Sequence, residues 1–87
     1  MTELKILVSG AGKMGQQVGS AVAAEPGMSA VGFVDGLAAA GNLSGLPVAS
    51  DAAGAIEALH PDVIIDFSNA AWTPGLARIA IEHGVRL

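Results

Sequence analysis

Apolar residues along this chain fall into short blocks whose spacing alternates between two periods. Residues 4–9, Leu-Lys-Ile-Leu-Val-Ser, form an apolar run with β-branched members, closed by glycine and lacking clean polar alternation. That pattern predicts a strand buried on both faces. From Lys13 the period lengthens: Met14, Val18, Ala21 and Val22 recur at helical spacing, while Gln16, Gln17 and Ser20 fall off that line. The amphipathic helix so predicted ends near Glu25-Pro26-Gly27, because proline cannot continue it and glycine accepts the turn. A second strand is predicted over 29–34, ending at Asp35-Gly36. Residues 36–50 are rich in Gly, Ala and Ser and read as a loop holding one edge strand at 46–49. Asp51 suits the N-cap of a short helix over 52–59, which His60-Pro61 stops. Residues 63–67, Val-Ile-Ile-Asp-Phe, are the most strand-like stretch and predict a central parallel strand. Ser68 and Asn69 then cap a helix predicted over 71–82, with Leu76, Ile79, Ala80 and Trp72 on its apolar line and Gly84 as its breaker. Residues 85–87 open a further strand.

Strand, helix and strand within the first 34 residues make a βαβ unit, whose crossover is right-handed almost by necessity. Continued alternation predicts an α/β fold: a doubly wound parallel sheet in three layers. A chain of 87 residues has room for one such domain, spanning 1–87. Sheets of this kind do not usually stop at the opening residues of a strand, so the chain reads as the N-terminal part of a longer one. Composition narrows the function. With 52% hydrophobic and 14% charged residues the chain can close a core and is not a disordered one. It contains no cysteine, which removes disulfide frameworks, thiolate chemistry and Cys-based zinc sites. A net charge of −4 argues against nucleic acid or an anionic membrane as partner. No apolar run approaches the roughly 20 residues that cross a bilayer, and the N-terminus lacks a secretory signal, so the expected location is the cytoplasm.

The chemistry concentrates at Gly10-Ala11-Gly12-Lys13-Met14-Gly15, a G-x-G-x-x-G pattern. In a chain with 12 glycines the pattern alone is weak, but here it follows a strand, opens a helix, and has Asp35 at the end of the next strand, 20 residues after Gly15. Gly10 turns the chain out of the strand, Gly12 lets a pyrophosphate approach main-chain N–H groups, and Gly15 permits close helix packing. The positive end of the helix dipole adds to the attraction for an anion. Asp35 is placed to accept hydrogen bonds from an adenosine ribose. The plainer alternative is that the glycines only make turns and Asp35 only caps a loop. Lys13 opposes the local dipole, which a bound pyrophosphate or 2′-phosphate would relieve; a solvated surface lysine is the other reading. After Asp35 come Gly36, Leu37 and three alanines, with no arginine to clamp a 2′-phosphate, so NADH is favoured over NADPH on local chemistry.

Asp66, Phe67, Ser68 and Asn69 lie at the C-terminal end of their strand, where open α/β sheets bind ligands. Phe67 can lie beside a nicotinamide and Ser68 can bond its ribose or carboxamide; otherwise Phe67 is core and Ser68 a helix cap. Asp66 suits a structural acceptor for nearby backbone N–H groups. His83 before Gly84 suits a helix C-terminus, and His60 a solvated loop. No HExxH, G-x-S-x-G or Walker lysine occurs, which leaves metal-assisted hydrolysis, acyl transfer and kinase-like chemistry without support.

Two segments together carry a resemblance. Lys5-Ile6-Leu7-Val8-Ser9-Gly10-Ala11-Gly12-Lys13-Met14-Gly15-Gln16 resembles the cofactor loop of the dihydrodipicolinate reductase family, in which a basic residue, Met and Gly follow the first glycines. Asp62-Val63-Ile64-Ile65-Asp66-Phe67-Ser68 resembles that family's Asp-Phe-Ser or Asp-Phe-Thr strand end, followed by a helix closing in His-Gly. The resemblance implies a Rossmann-type nucleotide-binding domain of an NAD(P)H-dependent oxidoreductase. Such an enzyme passes hydride to 4-hydroxy-tetrahydrodipicolinate, a small cyclic dicarboxylate on the diaminopimelate route to lysine. It implies pyrophosphate on Gly10 to Gly15, ribose on Asp35, and nicotinamide near Phe67 and Ser68. It also implies a homotetramer built by a second, substrate-binding domain beyond residue 87. Three departures stand out: the glycine loop is one residue shorter than in many members, and Ala70 stands where many have proline. The third is that neither the family's Gly-Thr-Thr-Gly turn nor its His-His…Lys motif falls within the chain. Substrate binding and proton donation are therefore assigned to no residue here, and the chain alone is expected at most to bind nucleotide weakly, without turnover. Two alternatives share the loop and the acid: another two-domain dehydrogenase of the homoserine- or sugar-dehydrogenase kind, and a non-catalytic nucleotide-sensing module.

Overall fold

The computed structural model describes residues 3–10, 12–35, 41–43, 45–67 and 73–87. In chain order these form β1 (Leu4–Ser9), α1 (Lys13–Ala24), β2 (Met28–Val34), β3 (Gly41–Leu43), β4 (Leu46–Ala49), α2 (Ala52–Leu59), β5 (Val63–Asp66) and α3 (Thr73–Glu82). The strands make one sheet in the order β3-β4-β2-β1-β5. Four of them run parallel, and β3 pairs antiparallel with β4. This is a Rossmann-like α/β sheet.

Alternation of side chains along each strand divides the core into two layers. Ile6 and Val8 of β1, Phe33 of β2 and Val48 of β4 face α1 and pack with Val22. Leu7, Val34 and Ile64 point the other way, onto Ala52, Ala55 and Ile56 of α2 and Leu76 and Ala80 of α3. Ile6, Leu7 and Val8 are all at most 2% exposed, so β1 is covered on both faces, as its unbroken apolar run implies.

The seam of α1 differs from the apolar line read from its period. Gly15, Gly19 and Val22 are buried, with Val18 partly so, whereas Met14 is 57% exposed and Ala21 also faces out. The reason is steric. A Cβ on Gly19 would stand 2.8 Å from Phe33 Cζ, so α1 approaches the sheet by presenting glycine rather than a large side chain. The helix interior gives up about 1 kcal/mol of propensity at such a glycine, which burial of Phe33 offsets.

Sheet order corrects two further expectations. The strand expected over 63–67 ends at Asp66 and is not central; β2 holds the centre, and β5 closes the series of named strands beside β1. Beyond β5 lies a single parallel bridge, Val63 with Arg86, in which Ile64 N–H donates to Arg86 O at 2.7 Å. Residues 85–87 therefore begin to pair, as expected, but as a bridge rather than a named strand. Likewise β4 is not the edge. Residues 41–43, expected as loop, cover it as β3, with Leu43 opposite Leu46 and Gly45 at φ 79° in the intervening turn.

Helix ends follow local chemistry. Asp51 caps α2 by accepting from Gly54 N–H at 3.0 Å. His60 closes it in the left-handed region (φ 50°, ψ 54°), its N–H donating to Ile56 O, so this residue is a cap and not merely a loop position. Leu76 and Ala80 of α3 are buried and Ile79 packs beside them, while Trp72, Ser68, Asn69 and the first residues of the helix expected over 71–82 lie outside the described residues. His83 finishes the helix as its position suggested. Its Nδ1 lies 2.9 Å from Ile79 O and its Nε2 3.7 Å from Glu57, tying α3 to α2.

Candidate functional site

The C-terminal ends of four parallel strands lie side by side along one edge of the sheet. Ser9 pairs with Val34 on one side and Asp66 on the other, while Val34 in turn pairs with Ala49. From β1 the chain continues to α1 on one face of the sheet, and α2 and α3 pack on the other. The crevice between β1 and β5 is thus the point at which the winding reverses, the general location for ligands in open α/β sheets.

Glycine shapes the turn at that point. Gly10 is buried at φ 113°, a conformation open to glycine, and its N–H still bonds Val34 O at 2.8 Å before the chain leaves the sheet. Gly12 is the N-cap of α1 in extended conformation, with no side-chain hydrogen bond capping the helix and no acid in its first turn. The first intrahelical bond runs from Gln16 N–H to Gly12 O at 2.9 Å, so the main-chain donors before it point off the helix end. A Cβ at Gly12 would meet no heavy atom within 4 Å: the space beside it is open. At Gly15 the opposite holds, because a Cβ there would overlap the Gly10 carbonyl. The two glycines have different tasks, one leaving room outside the turn and the other closing the turn on itself.

Four of the other expected site residues lie around this turn. Lys13 and Met14 are exposed in the first turn of α1, and Lys13 is the one charged side chain in the stretch from Gly10 to Gly15. Asp35 follows β2 on the strand next to Gly10, half-buried, held by its N–H to Ala49 O at 2.9 Å. Phe67 follows β5 on the other side, with its N–H on Ser9 O at 2.8 Å. Its side chain is 49% exposed, so it is not a core residue. Ala11 and Ser68 lie outside the described residues. Asp66 is an acceptor, and it accepts from a hydroxyl: Thr73 Oγ1 donates to Asp66 Oδ2 at 2.6 Å. Thr73 was not among the expected site residues. Thr-Pro at a helix start was the available signal for it, since proline suits the first turn.

The opposite end of the sheet carries a cavity of about 510 Å³ between Leu4, His60, Asp62, His83 and Arg86. Two of its polar side chains are engaged within the fold. Asp62 accepts from Lys5 N–H at 2.9 Å, and His83 is held by Ile79 O. Among the described residues no group of three His, Cys, Asp or Glu side chains could hold a metal ion, and no helix is long and apolar enough to cross a membrane.

Residues 4–87 match the family model described as dihydrodipicolinate reductase, N-terminus. The chain belongs to that family. A curated relative, 4-hydroxy-tetrahydrodipicolinate reductase of Methanocorpusculum labreanum, is 38% identical over 85 residues, covering 97% of this chain and 34% of the relative. Among solved structures, a dipicolinate-bound dihydrodipicolinate reductase from Paenisporosarcina sp. TG-14 superposes with a TM-score of 0.82 at 20% identity, over 97% of this chain and 36% of that one. That likeness establishes the shared fold. The chain spans about a third of the length of the dihydrodipicolinate reductases it matches. Membership in this family sets aside the homoserine- and sugar-dehydrogenase alternatives.

Proposed function

We propose that this chain is the dinucleotide-binding domain of an NAD(P)H-dependent 4-hydroxy-tetrahydrodipicolinate reductase, acting on the diaminopimelate route to lysine. One observation carries the reading: a glycine turn leads into a helix whose N-cap, Gly12, has no side-chain cap among the described residues and has open space beside it, at the crevice between β1 and β5. Gly10, its own N–H bonded to Val34 O, turns the chain, and main-chain donors from Ala11 and Gly12 into Met14 hold the pyrophosphate, aided by the helix dipole. Lys13, exposed in the first turn, adds positive charge beside the phosphates. Asp35, on the neighbouring strand end, accepts from the adenosine ribose. Phe67 and Ser68, across β1, take the nicotinamide end, where the exposed ring of Phe67 offers an apolar face.

The cofactor supplies the hydride, and this domain contributes by fixing where the donor carbon sits. Transfer requires donor and acceptor held about 3–3.5 Å apart, which demands a second set of groups to hold the substrate. Those groups, the proton donor and the contacts of a homotetramer belong to the remainder of a longer protein. No catalytic residue is assigned within these 87 positions. Asp35 also sets the cofactor preference: its carboxylate repels a 2′-phosphate, which favours NADH.

Titration of the protein with NADH and with NADPH, followed by calorimetry, tests the reading. Saturable binding of NADH is expected, with Asp35→Ala weakening NADH about tenfold and NADPH much less, on the order of one lost charge-assisted hydrogen-bonding pair. Equal loss for both cofactors would remove Asp35 from the ribose site. No saturable binding of either would overturn the proposed function.

A further inference from the structure

The cavity of about 510 Å³ at the edge of the sheet away from the glycine turn lies between two helix ends. There α2 closes at His60 and α3 runs out at His83 and Gly84, and all three residues line the opening. Neither helix has a lysine or arginine in its last turn, so neither negative helix end carries its own cation. Glu57 and Asp62 add two carboxylates to the lining. The ring of His83 marks where a cation fits. Its Nδ1 stands 2.9 Å from Ile79 O, and a carbonyl only accepts, so in this geometry Nδ1 carries the ring hydrogen. In the neutral ring Nε2 is then an acceptor, and it lies 3.7 Å from Glu57 Oε1. Two acceptors at that separation do not bond each other, yet one primary ammonium can donate to both. A metal ion fits less well, because among the described residues no three His, Cys, Asp or Glu side chains are grouped to hold one.

Arg86 brings the opposite charge to the same cavity. Its main chain is fixed beside β5: its N–H donates to Asp62 O at 3.3 Å, and its carbonyl accepts from Ile64 N–H at 2.7 Å. A guanidinium so rooted can take a carboxylate through two parallel hydrogen bonds. Leu4, Pro61, Val63 and Val85 make part of the lining apolar. We propose that this cavity binds a small amino acid with an apolar side chain, its ammonium donating to His83 Nε2 and Glu57 and its carboxylate received by Arg86. The site is independent of the nucleotide reading: it lies at the opposite edge of the sheet and shares no residue with the glycine turn, Asp35 or Phe67.

The test is NMR titration of the isotope-labelled protein at about pH 7.5, above the ordinary imidazole value. The probes are L-leucine, isoamylamine, which lacks its carboxylate, and isocaproate, which lacks its ammonium. L-leucine is expected to give saturable amide shifts around Glu57, His83 and Arg86 with a Kd of about 1 mM, while Gly12 and Gly15 do not move. Each analogue, carrying one charge, binds at least about tenfold more weakly. Glu57→Gln and Arg86→Gln each weaken L-leucine about fivefold, on the scale of one hydrogen bond to a charged group. Both side chains are exposed, and the dispersion of the same spectra checks that each variant is folded. No saturable shift up to about 20 mM L-leucine overturns the proposal. Isoamylamine binding as tightly as L-leucine overturns it too, because Arg86 would then receive nothing. So does unchanged affinity in either folded variant.

Discussion

Two helices begin at the same edge of the sheet and solve the same problem in opposite ways. Every α-helix opens with main-chain N–H groups that lack intrahelical partners. At α2 the chain supplies its own answer: the Asp51 carboxylate accepts from Gly54 N–H at 3.0 Å, and a Cβ at Gly54 would press on that carboxylate at 2.8 Å. At α1 the equivalent position is Gly12, with no cap and open space alongside. The second helix places its own anion at its positive end; the first leaves that position to something else. Since the two ends share an edge and a polarity, the difference lies in the choice of residue, aspartate in one and glycine in the other. A turn that served stability alone would be expected to resemble the one at α2.

Gly15→Ala gives the largest effect on this comparison. Its methyl group would overlap the Gly10 carbonyl, a backbone atom that cannot swing aside, so the turn must open or α1 must lift from the sheet. A loss of about 3 kcal/mol of stability is expected, at the upper end of ordinary overpacking, and chemical denaturation would measure it. A cost below about 0.5 kcal/mol would mean that the close approach is not a constraint on the turn. Asp51→Ala acts on the other helix and is smaller. It should lower stability by about 1 kcal/mol through loss of the cap, while NADH affinity stays within about twofold. A large change in NADH affinity on removing Asp51 would show that the two helix ends are not independent.

Much of this arrangement is legible in the residues because it is local. The unbroken run of β1, the change of period at Lys13, Pro26-Gly27 as the stop of α1 and Asp51 as the start of α2 each follow from neighbours along the chain. The glycine turn is legible for the same reason, with Asp35 twenty positions on. What is not legible depends on distant contacts. Met14 outranks Gly19 in hydropathy, yet Gly19 is inside because Phe33 fills the space that its missing side chain leaves. The strand at 41–43 is too short and too polar to show a period, and forms because β4 offers an unpaired edge. Its apolar content suggested a central place for β5, but strand order is a property of the assembled sheet, where pairing with β4 and β1 puts β2 in the middle and leaves β5 beside β1 at the end of the named strands. The bond from Thr73 to Asp66 likewise appears only when a helix start is brought to a strand end.

Installing the cap that α1 lacks tests the account most directly. In Gly12→Asp the new side chain has open space and can accept from its own helix, as Asp51 does in α2. The account predicts a protein as stable as the original to within about 0.5 kcal/mol, because Asp and Gly differ by only a few tenths as N-caps. It also predicts NADH affinity reduced at least about 100-fold in parallel calorimetric titrations, since the carboxylate occupies and repels the pyrophosphate site. A folded Gly12→Asp protein that binds NADH as tightly as the original would contradict it.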